Sequence, residues 1–186
     1  LMIGGRMFFT AGTRRAVVSV DAKTGEMLWM YSLDEGERGE GAPRRLSGRG
    51  VAYWTDGQGD ERIVYVTPGY QMIALDAKTG NLVSGFGRNG IVDLKTDMDQ
   101  TLDPVTAEVG LHSAPIIAKN VVVIGAAHLA GGSPRGQTNV KGYVRGFDVR
   151  TGRRIWVFHT IPRPGEFGND TWLNDSWSYT GNTGVW

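Results

Sequence analysis

Cysteine is absent from this chain of 186 residues. Its absence removes disulfides, thiolate metal sites and cysteine nucleophiles. It selects no compartment, because disulfides are permitted outside the cytoplasm and not required there. An excess of charge is lacking too: 20 lysines and arginines stand against 19 aspartates and glutamates. A balance of +1 gives no electrostatic footprint for nucleic acid or an anionic membrane surface. No apolar run approaches the ~18 residues of a membrane span. No basic-then-apolar leader opens the sequence, and neither observation fixes localisation. No Gly-x-Gly-x-x-Gly follows a strand-like run, and there is no P-loop or serine elbow, so nicotinamide binding and serine hydrolysis have no support.

Helical periodicity is almost missing, while glycine occurs 28 times and tryptophan 6 times. With 40% hydrophobic residues the chain can bury a core. Many short strands joined by glycine turns, with large aromatics between sheets, suit a propeller, barrel or sandwich.

An internal repeat narrows the choice. Arg15-Ala-Val-Val-Ser-Val-Asp21-Ala-Lys-Thr24-Gly25 aligns without gaps to Tyr70-Gln-Met-Ile-Ala-Leu-Asp76-Ala-Lys-Thr79-Gly80, and Val144-Arg-Gly-Phe-Asp148-Val-Arg-Thr151-Gly152 follows the same pattern. Four residues after each glycine come Trp29, Ser84 and Trp156. In such a unit the Asp carboxylate accepts backbone N–H groups within the turn, and glycine supplies a positive φ. A tryptophan at a fixed offset points to packing between neighbouring four-stranded blades. Further strands are expected at Met7–Thr10, Val51–Trp54, Ile63–Thr67 and Val121–Ile124, with loops over Asp34–Ala42, Asp93–Glu108 and Gly131–Val140.

The repeat resembles the tryptophan-docking motif of the PQQ-dependent (quinoprotein) dehydrogenases. Arg49-Gly-Val-Ala-Tyr-Trp54, His112-Ser-Ala-Pro115 with Gly125, Gly142-Tyr-Val144, and Thr171-Trp172 with Trp177 and Thr183-Gly-Val-Trp186 are similar to stretches of that family, in family order. The resemblance implies an all-β fold: about three four-stranded blades of an eight-bladed β-propeller, with residues 1–186 as one partial domain that starts mid-blade. Repeats lie near 15–29, 70–84 and 144–156. The implied function is oxidation of a sugar, polyol or alcohol, with membrane-type glucose, polyol and quinate enzymes as the nearer comparison. An aspartate base and a quinone carbonyl polarised by calcium or magnesium would carry the chemistry, and electrons would pass to ubiquinone or a cytochrome. The family setting is periplasmic, with membrane association through parts outside this chain. A non-catalytic PQQ-repeat propeller of the outer-membrane assembly type is the alternative.

Carried over position by position, the resemblance makes Trp186 the aromatic floor for PQQ or, on a second reading, another inter-blade tryptophan. Arg49 matches the arginine that grips a PQQ carboxylate, as a planar guanidinium can with two parallel hydrogen bonds. Arg45 falls where relatives cap the second face of the quinone. His112 replaces a cofactor-contacting threonine and reads equally as a strand histidine. Thr183 lies near another such threonine, with Gly184 as an insertion. No metal ligand or catalytic residue is expected in this segment: Ala130 stands where relatives carry a calcium-binding glutamate, and Ala126-Ala-His-Leu129 offers no carboxylate.

Overall fold

The computed structural model describes residues 1–47, 50–128, 140–181 and 183–185. Their strands form three four-stranded antiparallel sheets, each strand pairing with its neighbour in sequence. The first holds β1 (Met2–Ile3), β2 (Arg6–Ala11), β3 (Ala16–Asp21) and β4 (Met27–Tyr31). The second holds β5 (Ala52–Thr55), β6 (Glu61–Val66), β7 (Gln71–Asp76) and β8 (Ile91–Asp93). The third holds β9 (Ile116–Ala118), β10 (Val121–Ile124), β11 (Val144–Asp148) and β12 (Arg154–Phe158). These are meandering blades, and the chain is part of a propeller. The first sheet has four strands, the first of them the two-residue β1.

The expected strands fall on β2, β5, β6 and β10, with ends differing by a residue or two. The Asp34–Ala42 loop contains one helical turn, α1 (Glu37–Glu40). Four residues are too few to show a 3.6-residue period, so the sequence reads as loop there. Of Gly131–Val140, only Val140 lies among the described residues.

The middle sheet shows why its strands are apolar throughout. Side chains alternate across a strand. Ile63, Tyr65, Ile73 and Leu75 pack with Phe8 and Val17 of the first sheet. Their neighbours Val64, Val66, Met72 and Ala74 pack with Val122, Ile124 and Phe147 of the third. Both faces are covered, so neither can be polar.

The repeat turns behave as their chemistry requires. Asp21 Oδ1 accepts the Lys23 and Thr24 amides, each at 2.8 Å. The Asp76 and Asp148 carboxylates do the same with Lys78 and Thr79, and with Arg150 and Thr151. The Thr24 amide and then the Lys23 amide hold the Asp21 carboxyl below its usual range. Gly25, Gly80 and Gly152 close the turns at φ 75°, 75° and 72°.

Between blades the docking differs from the sequence pattern at one place. The Trp29 indole lies over Gly80 of the next blade, where a Cβ would approach within 2.6 Å. Its Nε1 donates to Ala77 O at 3.2 Å. In the second blade, Ser84 does not take this role. Residues 84–90 leave the sheet between Val83, bonded to Ala74 O, and β8. Ser84 is exposed, and Phe86, fully buried, presents its ring to Gly152 of the third blade. The Gly87 amide donates to Thr151 O at 2.8 Å. A local excursion has moved the docking aromatic two positions along the chain.

Candidate cofactor site at the loop end

Antiparallel meanders place alternate connections at opposite ends. The Asp-x-x-Thr-Gly turns occupy one end. The β2–β3, β6–β7 and β10–β11 connections and the segments between sheets share the other. Arg45, His112 and Thr183 all belong to this loop end.

Arg15 ties it together. It begins the repeat, adopts φ 52° and is 1% exposed. Its guanidinium donates to Val66 O (3.1 Å), Thr67 O (3.2 Å) and Leu111 O (2.9 Å), and to the Arg44 and Ser47 carbonyls. One side chain of the first blade therefore fixes the β6–β7 turn, the 43–47 segment and the approach to His112. Tyr70 holds the equivalent position in the second repeat, also at positive φ (67°) and fully buried. Its hydroxyl donates to Gly125 O at 2.6 Å. Six residues before the third turn aspartate stands Gly142, and a side chain there would collide with Thr183 O.

The segment before β9, the residues after β10 and the last described residues then form a small ladder. Gly110 and Ala127 exchange backbone hydrogen bonds at 2.9 and 2.8 Å. Val185 N donates to Ala126 O at 2.9 Å. The Thr160 and Thr183 hydroxyls lie 2.7 Å apart and share the Gly142 carbonyl. His112 follows Gly110 by two residues and Thr183 precedes Val185 by two, so these two sequence candidates lie on segments that flank the same Ala126–Ala127 strand on opposite sides. Arg45 is placed differently: its exposed side chain lines a surface cleft with Arg14, Asp34, Glu35 and Glu40. Arg49 and Trp186 lie outside the described residues.

The local field is positive. Burial first, then the charges of Arg44 and Arg15, push the His112 proton affinity down. His128 is also depressed, mainly by burial. Its Nδ1 meets Glu108 O at 3.2 Å, so that nitrogen carries the proton and Nε2 is an acceptor. Two buried nitrogens here, Arg44 Nε and His128 Nε2, have no hydrogen-bond partner among the described residues. Arg15 and Tyr70 escaped the sequence reading as supports of the site, whereas Arg44 falls, with Pro43, where methanol-type relatives carry the cysteine pair that caps the quinone. The recurrence of the first two at one repeat position was the available signal.

A second polar cluster braces the same end. Glu35 accepts from Thr67, Gly69 and Gln71, and Arg38 grips Asp93 with two bonds of 2.7 and 2.6 Å. Lys95 is buried beside them, its ammonium 3.5 Å from Val105 O. Burial, and then Arg38, lower its pKa to about 8. Between about pH 8 and 10.5 the unfolded chain holds a proton that the folded chain has released, so stability rises with pH across that window. Lys95→Met is therefore expected to be the more stable protein at pH 7, by on the order of 1–2 kcal/mol. The gap should narrow towards pH 9.5 and vanish above about pH 10.5, as read from urea midpoints; a gap independent of pH would contradict the assignment.

Residues 1–186 match the family described as PQQ: glucose/ethanol/alcohol dehydrogenase, beta-propeller domain. The chain belongs to this family. It is 32% identical to the dehydrogenase subunit of alcohol dehydrogenase (quinone) from Gluconobacter oxydans, over 100% of this chain and 23% of that protein. The glycerol dehydrogenase large subunit of the same organism is 28% identical, over 91% of this chain and 22% of its own length. The solved structure of quinohemoprotein alcohol dehydrogenase ADHIIG from Pseudomonas putida superposes with a TM-score of 0.70 at 26% identity, covering 97% of this chain and 24% of that one. This PQQ-family chain thus spans about a quarter of the length of the relatives it matches.

Proposed function

We propose that this chain forms part of the cofactor end of a larger PQQ-dependent dehydrogenase that oxidises a sugar, polyol or alcohol. In this reading the electrons pass to a quinone or cytochrome, and the full-length protein works in the periplasm. No helix among the described residues is long and apolar enough to cross a membrane.

The observation that carries the reading is the cationic, donor-bearing ground beside the Gly110–Ala127–Val185 ladder. PQQ is flat and carries three carboxylates, so its binding calls for cations, donors and an aromatic floor. The described residues fit the first two demands. Arg44 keeps a buried Nε without a partner among the described residues, and Arg44 and Arg15 together favour a neutral His112. A carboxylate placed there would offset this repulsion.

In the proposed arrangement Arg49 holds a carboxylate through a bidentate pair, and His112 offers a neutral imidazole that donates from one nitrogen and accepts at the other. Arg45 covers the second face, a role its exposed position leaves it free to take when a ligand is bound. Trp186 supplies the stacking surface, and Thr183 fixes the start of the segment that leads to it. When bound, PQQ supplies the two-electron redox chemistry; the protein supplies orientation, charge and exclusion of water. Among the described residues no group of three or more His, Asp or Glu side chains could hold a metal ion. Calcium or magnesium is proposed to use ligands elsewhere in the full-length protein.

The test is reconstitution of the full-length apo-protein with PQQ and calcium or magnesium, followed by dye-linked oxidation assays on a panel of alcohols, polyols and aldoses. Turnover that needs both additions supports the reading. PQQ-independent behaviour across the panel would remove it.

A further inference from the structure

Tyr70 is one anchor of the loop end among several, yet its surroundings set it apart. It is an aromatic residue at φ 67° with no exposed surface. A bulky side chain in the left-handed region is strained and persists only where the surroundings over-determine it. Here they do. Tyr70 Oη donates to Gly125 O at 2.6 Å, and Arg145, itself fully buried, donates to the same Oη at 3.0 Å. The guanidinium also donates to Leu94 O (2.8 Å) and Asp97 O (2.7 Å). It lies 5.5 Å from the Tyr70 ring and 5.4 Å from the Phe147 ring. Arg145 thus orients the phenol and polarises it, so the bond to Gly125 is cooperative and charge-assisted.

Gly125 is where this bond matters. A Cβ at that position would come within 2.3 Å of Val185 O, so the last described residues cross directly over it. The next residue, Ala126, accepts the Val185 amide, and Ala127 pairs with Gly110. The Tyr70 hydroxyl therefore grips the strand at the base of the ladder that orders Thr183–Val185 on one side and the His112 segment on the other.

We propose that Tyr70, oriented by Arg145, is a positioning residue for the PQQ pocket: its hydroxyl pre-forms the Gly125–Ala127 strand against which Thr183–Val185 and the His112 segment are laid. This rests on the quinoprotein reading above. A strand held in its bound form before the ligand arrives lowers the ordering cost of binding. Without the hydroxyl, Gly125 O loses its buried donor and the strand is free to shift.

The experiment compares the full-length apo-protein, Tyr70→Phe and Tyr65→Phe. Tyr65 is an equally buried tyrosine in the first-to-second blade core, and its hydroxyl has no partner among the described residues. Melting temperature is measured alongside PQQ titrations with calcium present, run well below melting and read by the induced circular dichroism of bound PQQ. Tyr70→Phe is expected to bind PQQ about tenfold more weakly and to give an altered dichroism band, while Tyr65→Phe matches the parent. A Tyr70→Phe protein with the parent's affinity and band overturns the proposal and leaves the quinoprotein reading standing. Equal losses in both variants, tracking their melting temperatures, overturn it in favour of a general structural role. A parent that binds no PQQ removes the quinoprotein reading, and this inference with it.

Discussion

Replacing Arg15 by methionine is expected to cost on the order of 3–5 kcal/mol, enough to unfold the loop end or the whole chain. The side chain is 1% exposed and its guanidinium serves five carbonyls, those of Val66, Thr67, Leu111, Arg44 and Ser47. Methionine approximates its volume and relieves the cost of burying a charge. It also withdraws a donor from each of those carbonyls; the Arg44 and Thr67 carbonyls keep the Ser47 and Tyr70 amides, and each buried group left unsatisfied costs about 1–3 kcal/mol. The losses outweigh the relief. Because the carbonyls belong to three separate segments, the damage should spread to the approach to His112, and PQQ affinity should fall with stability. Arg14 is the control next door. Its ion pair with Asp34 at 2.9 Å joins side chains 63% and 62% exposed, so Arg14→Ala should shift the midpoint by less than about 1 kcal/mol. Urea unfolding of the parent and both variants decides the matter; comparable midpoints for Arg15→Met and Arg14→Ala would show that the buried guanidinium is not an anchor.

Gly125→Ala should do the opposite, sparing the sheets and emptying the site. The added methyl would stand 2.3 Å from Val185 O, a backbone atom that cannot rotate away. Of the two chains in contact, residues 183–185 are the easier to displace. They hold on through the Val185–Ala126 bond and the shared Gly142 carbonyl, whereas Gly125 continues β10 and receives Tyr70 Oη. The expected result is a melting temperature within a few degrees of the parent. PQQ affinity should be lower on the order of a hundredfold, equivalent to about 2.7 kcal/mol, within the range of an overpacking penalty. An unchanged affinity would mean that the crossing of Val185 over Gly125 does not shape the pocket.

The blades were legible in the sequence because their determinants are local. Asp21, Asp76 and Asp148 bond amides two and three residues away, and such chemistry repeats wherever the fold repeats. Phe86 was not legible: an excursion of residues 84–90 shifts the docking aromatic without changing its function, and a gapless alignment assigns the place to exposed Ser84. The candidate site was legible only through the family resemblance, which named positions but not supports. Arg15, Tyr70 and Arg145 act on carbonyls 29 to 96, 55, and 48 to 51 residues distant, respectively. Nothing in their immediate neighbours announces that. Arg15 and Tyr70 share a clue all the same, standing six residues before the turn aspartate where the backbone enters positive φ.

The most direct test of the quinoprotein account is equilibrium titration of PQQ, with calcium or magnesium present, into the full-length protein and its Arg49→Ala/Trp186→Ala double variant. The account predicts saturable binding by the parent and its loss in a variant that still folds. A parent that binds no PQQ, or a folded variant that binds as well as the parent, would contradict it.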